Sequence, residues 1–146
     1  MSGLFRFLPT VLLVLYLVFK FMPSLPVSPD EYAPTPQQRA QLQEVKAVLA
    51  AYPQAAENFS NMFNGLALVV DRDAVILKTT ADVRRAHQNA GALAVLVGEI
   101  PVIPGYAAAV DRFLNADIGS ENVPLDAVKR QQVANAFKAL NWATQK

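Results

Sequence analysis

TTADVRRAHQNAGALAVLV, residues 79–97, carries the clearest structural instruction in the chain. Thr79 and Thr80 are residue types that cap helix N-termini, and Asp82 follows three places after Thr79, where a carboxylate meets the positive end of the helix dipole. Val83, Ala86, Ala90, Leu93, Ala94 and Val97 then recur at helical spacing, so one face of the predicted helix is apolar. Gly98 closes it. Pro101, Pro104 and Gly105 follow in GEIPVIPG, a combination that cannot continue a helix and makes a stiff loop.

The same reading extends on both sides. Downstream, Tyr106, Ala109, Val110, Phe113 and Leu114 define a short helix that stops at Gly119. A last helix begins near Pro124 and aligns Leu125, Val128, Val133, Ala136, Phe137 and Leu140, with Asp126 early and Lys138 late, as the dipole favours. Upstream, Leu42, Val45, Val48, Leu49 and Tyr52 form one stripe, which Pro53 ends while opening the next helix. There Phe59, Met62, Phe63, Leu66 and Val70 recur at intervals of three and four. Residues 66–78 are ambiguous between helix and β-hairpin. The Asp71, Arg72, Asp73 turn lacks the glycine of a tight hairpin, which favours helix followed by an extended segment. The expectation for residues 37–146 is an all-α, compact bundle of about five helices. Alanines 47, 50, 51, 86, 90, 94, 107, 108 and 109 are expected to let helices approach closely. No heptad is sustained and no solenoid-length repeat is visible.

The first 22 residues differ in kind. Leu4, Phe5, Phe7, Leu12, Leu13, Leu15, Tyr16, Leu17, Phe19 and Phe21 crowd an apolar segment interrupted only by Arg6 and Lys20 near its ends. Residues 4–22 as a helix would cover roughly 28 Å, enough for a thin bilayer, and the two cations could reach the headgroups. Large residues and Pro23 follow, without the small-x-small pattern of a cleaved signal, so an uncleaved single-pass signal-anchor at 1–22 is expected. The positive-inside tendency favours a cytoplasmic N-terminus and a body on the outer, periplasmic or extracytoplasmic side. Residues 23–36, PSLPVSPDEYAPTP, carry five prolines and read as an extended linker of up to about 40 Å rather than as a ligand for an adaptor domain.

Composition closes several routes to chemistry. The 146 residues include no cysteine and a single histidine, which excludes disulfides, thiolate sites and any metal centre needing a second imidazole. Thirteen Lys and Arg against twelve Asp and Glu give no basic excess for a nucleic-acid partner. His87 borders the apolar stripe of its helix and reads as an interior histidine with one hydrogen-bond partner. Neither Ser60 nor Ser120 lies in a nucleophile-elbow sequence, and the six glycines form no phosphate-cradling motif. No cofactor or metal is implied. The candidate contact residues are Arg84 and Arg85, Lys129 and Arg130, and Trp142: two basic pairs that could merge into a patch, and an aromatic that either closes the bundle base or contacts a partner. The expected function is a non-enzymatic, membrane-anchored module that binds or positions a protein partner or another copy of itself. The alternatives are a viral or phage structural or lysis-accessory membrane protein, and an enzyme using His87.

Overall fold

A computed structural model of the chain describes residues 32–72 and 77–145. The expected anchor, Leu4, Phe5, Phe7, Leu12, Leu13, Leu15, Tyr16, Leu17, Phe19 and Phe21 included, lies outside these residues, as does most of the linker. None of the described helices is long and apolar enough to cross a membrane.

The described residues form an all-α fold: α1 Pro36–Gln41, α2 Gln43–Ala50, a 3-10 turn Pro53–Ala55, α3 Ala56–Arg72, α4 Thr80–Leu96, α5 Tyr106–Ile118 and α6 Ala127–Ala143. The helix-then-extended reading of 66–78 holds as far as the described residues go, since α3 runs to Arg72 and Leu77 and Lys78 are not helical. One expected helix is divided at Leu42. There the side-chain amide of Gln43 donates to the Arg39 carbonyl (3.2 Å), the acceptor that the backbone N–H of residue 43 takes in an unbroken helix. The start of the bundle also moves. Thr35 caps α1 through a reciprocal box with Gln38, and Pro36 occupies the first turn, where its missing N–H costs nothing. Tyr32 and Pro34 pack inward, so the last prolines of PSLPVSPDEYAPTP belong to the body.

Helices α3 and α6 make the most extensive contact, and they run antiparallel. Ser60, near the start of α3, donates to Asn141 near the end of α6. At the other end, Arg130 of α6 donates to the Val70 carbonyl of α3 (2.7 Å). Small side chains permit this closeness: Gly65 and Ala67 on α3, and Ala134, Ala136, Ala139 and Ala143 on α6, are all buried. This corrects the expected alanine stripes. Ala86, Ala90, Ala94 and Ala109 are interior, but Ala47, Ala50, Ala51, Ala107 and Ala108 face solvent, because Leu42, Val45 and Leu49 take the inward face of α2 and Val110, Phe113 and Leu114 that of α5. Val128 is a second correction. The helix expected to begin near Pro124 starts at Ala127, capped by Asp126, whose carboxylate accepts from Lys129 N (2.7 Å), and Val128 is 80 % exposed rather than on the inward face.

The segments preceding α4 and α6 cross as a single antiparallel bridge between Thr79 and Pro124. Thr80, fully buried, is its hub: Oγ1 donates to the Glu121 carbonyl (3.1 Å) and accepts from Val123 N (3.0 Å). Thr79 makes the expected cap, paired reciprocally with Asp82.

Candidate interaction surfaces

The end of α4 and the GEIPVIPG loop that follows it together gather most of the large apolar side chains that the described residues expose. Leu96 is 81 % exposed, Val97 45 % and Val102 75 %. The loop is held firmly beneath them. Ile100 and Ile103 are buried, and Asn58 of α3 donates to the Glu99 carbonyl (2.5 Å). Gly98 (φ 77°) and Gly105 (φ 83°) supply the left-handed conformations that end α4 and start α5, which other residues adopt only with strain. Buried and exposed aliphatics side by side on a braced loop create an apolar tip.

Behind the tip lies His87. It is 3 % exposed, and its Nε2 is hydrogen-bonded to the Tyr106 hydroxyl (2.8 Å). Its ring stacks on Phe63 (centroids 6.2 Å apart) and meets Tyr106 and Phe137 at 5.8 and 6.2 Å. Burial pushes the imidazole pKa down to about 4, so the ring is neutral at ordinary pH. Burial, with the charge of Asp111 adding to it, holds the Tyr106 phenol well above its usual range. A neutral imidazole closed in by aromatic rings and joined to a protonated phenol is an interior pair that ties α4 to the first residue of α5. Among the described residues no cluster of carboxylates and histidine could hold a metal ion.

The basic pairs are largely engaged within the fold. Arg130 donates to the carbonyls of Val70, Leu77 (3.0 Å) and Leu125 (3.3 Å), bridging the end of α3 to the segments before α4 and α6. Lys129 Nζ donates to the Ile118 carbonyl (2.6 Å). Arg84 reaches Asn115 Oδ1 (2.5 Å) and the Gly119 carbonyl. Lys129 and Arg84 therefore do converge, on the C-terminal end of α5, where they satisfy terminal carbonyls and complement the dipole rather than forming a free patch. Arg85, with an ion pair to Asp82 (3.5 Å), stays more than half exposed.

Trp142 is half-buried against the core, and its ring is flanked by Lys46 (Nζ 4.5 Å from the centroid) and Arg39 (Cζ 5.6 Å). Both roles expected for it are compatible with this position. Sequence reasoning missed the apolar tip, although exposed Val102 lies between two prolines. It also missed the cations around Trp142, since Arg39, Lys46 and Trp142 are brought together only by the packing of α1 and α2 against α6. No family model matches the chain, and comparison with curated proteins and with solved structures finds no match.

Proposed function

We propose that the chain is a non-enzymatic, membrane-tethered helical module that binds a protein partner through the α4–α5 tip. The observation that carries this reading is the tip itself: Leu96 and Val97 at the end of α4 and Val102 in the following loop face solvent, beside residues held in place by the burial of Ile100 and Ile103 and by Asn58. Exposed aliphatics on a rigid support lose little conformational freedom on binding, which favours recognition. The tether is supported by the uncharged sequence of residues 7–19 and the flanking Arg6 and Lys20. The sealed, hydrogen-bonded state of His87 argues against its use as a base.

The test places a photo-crosslinking side chain at Leu96, at Val102 and, as a control, at exposed Gln131, in the full chain in its native membrane. Adducts of one defined mass at the first two positions and none at the third support the reading. Equal or absent crosslinking at all three, or recovery of the chain from the aqueous fraction, refutes it.

A further inference from the structure

Two cations lie over the only tryptophan of the sequence, and a third stands one helical turn from it. Arg39 and Lys46 lie over its ring, and Lys138 precedes it by one turn of α6 and shares its helix face. The ion pairs among the described residues are Arg85 with Asp82 and Arg112 with Glu44, so Arg39, Lys46 and Lys138 have no carboxylate in pairing distance there. Glu44, two residues before Lys46 on α2, is turned to α5 instead, held by both arms of the Arg112 guanidinium (2.8 and 2.7 Å). An amphipathic indole beside cations that pair with no carboxylate among the described residues has the chemistry of an interfacial contact: the ring suits the boundary between water and hydrocarbon, and the cations suit phosphate.

The position of this face selects the occupant. Arg39 stands one turn after the Thr35 cap, where the chain enters the body. Residues 23–31 span at most about 30 Å even when fully extended, so an apolar segment ending at residue 22 keeps this side of the body within reach of the bilayer.

We propose that Arg39, Lys46 and Lys138 around Trp142 form a docking face for the anionic headgroups of the membrane that holds the chain. The proposal rests on the tethered reading above and adds a second, electrostatic contact, so that the body lies against the lipid surface. Anchoring by one hydrophobic element and a basic patch then fixes orientation, which a flexible leash alone does not.

Because Trp142 is the sole tryptophan, its fluorescence reports on this face directly. The full chain is reconstituted into vesicles of phosphatidylcholine alone and of phosphatidylcholine with phosphatidylglycerol, and quenching of Trp142 by aqueous acrylamide and by lipid-attached bromine is measured. The expected result is protection from acrylamide and gain of bromine quenching only in the anionic vesicles, reversed by salt. Each of R39Q, K46Q and K138Q should lower the docked-to-undocked ratio about fivefold. Far-UV circular dichroism verifies that each variant is folded, and the salt titration of the unaltered chain tests the proposal without any substitution. Equal quenching in both vesicle types, with the chain incorporated in each, overturns the proposal while leaving the tether intact. Protection by soluble polyglutamate but not by anionic lipid also overturns it, in favour of an acidic protein. A chain that associates with neither vesicle type removes the tether and the proposal together.

Discussion

Lowering the pH from 7.5 to about 4 probes the packing of His87. The unfolded chain presents an imidazole of ordinary pKa, 6.5, whereas the folded chain holds it at about 4 because the ring is shut away from water by Phe63, Phe137 and Tyr106. The unfolded state therefore takes up the proton first. The stability associated with the neutral ring is complete above pH 6.5 and declines as the pH falls through about 4, at ~1.4 kcal/mol per pH unit. The full loss amounts to ~3 kcal/mol, a sizeable share of the 5–15 kcal/mol typical of a domain. Other groups titrate in the same window. Asp117, whose carboxyl is raised by burial, acts in the opposite direction, since acid relieves its folded-state penalty; Glu44, lowered by Arg112, loses its advantage in acid. A difference between two proteins cancels both. Urea unfolding of the full chain in mild detergent, followed by far-UV circular dichroism at both pH values, is compared for wild type and H87N. The substitution costs about 1–3 kcal/mol at neutral pH through lost packing, but should remove most of the additional acid loss. If H87N loses as much stability on acidification as wild type, the imidazole is not sealed as described and the argument fails.

Other substitutions test separate parts of the fold. R130M should cost about 2–3 kcal/mol in the same assay, because the carbonyls of Val70, Leu77 and Leu125 lose a shared donor; R130K should restore little, as a single ammonium lacks the fork that spans them. A139L inserts three carbons at a fully buried position on α6 and should lower stability by about 1–3 kcal/mol, visible as a reduced melting temperature. T79A removes the cap of α4 and should cost about 1 kcal/mol, read from the urea midpoint. The double variant L96D/V102D should change stability by less than about 0.5 kcal/mol while abolishing crosslinks placed elsewhere on the tip, for example at Val97.

Periodicity and end signals, both local, made the helices legible. Phe59, Met62, Phe63, Leu66 and Val70 had to share a face, and Thr79 with Asp82 had to start a helix, because 3.6-residue geometry and orphan backbone N–H groups act within a few residues. The burial of His87 followed from its place beside Val83, Ala90 and Ala94; that its partner is Tyr106, 19 residues away, did not. Which alanines are interior was decided by how each helix turns its larger apolar residues to its neighbours, since a methyl group is equally at home on either face of a helix until a neighbour arrives. The same holds for charge. Arg84, Lys129 and Arg130 read in one dimension as candidate contact residues, yet their side chains reach carbonyls that only the packing of other segments brings near. Conversely Arg39, Lys46 and Trp142, distant along the chain, acquire a common surface from the way α1 and α2 lie on α6. Short-range sterics and hydrogen bonding thus specify the elements, whereas long-range burial determines which side chains the finished surface retains.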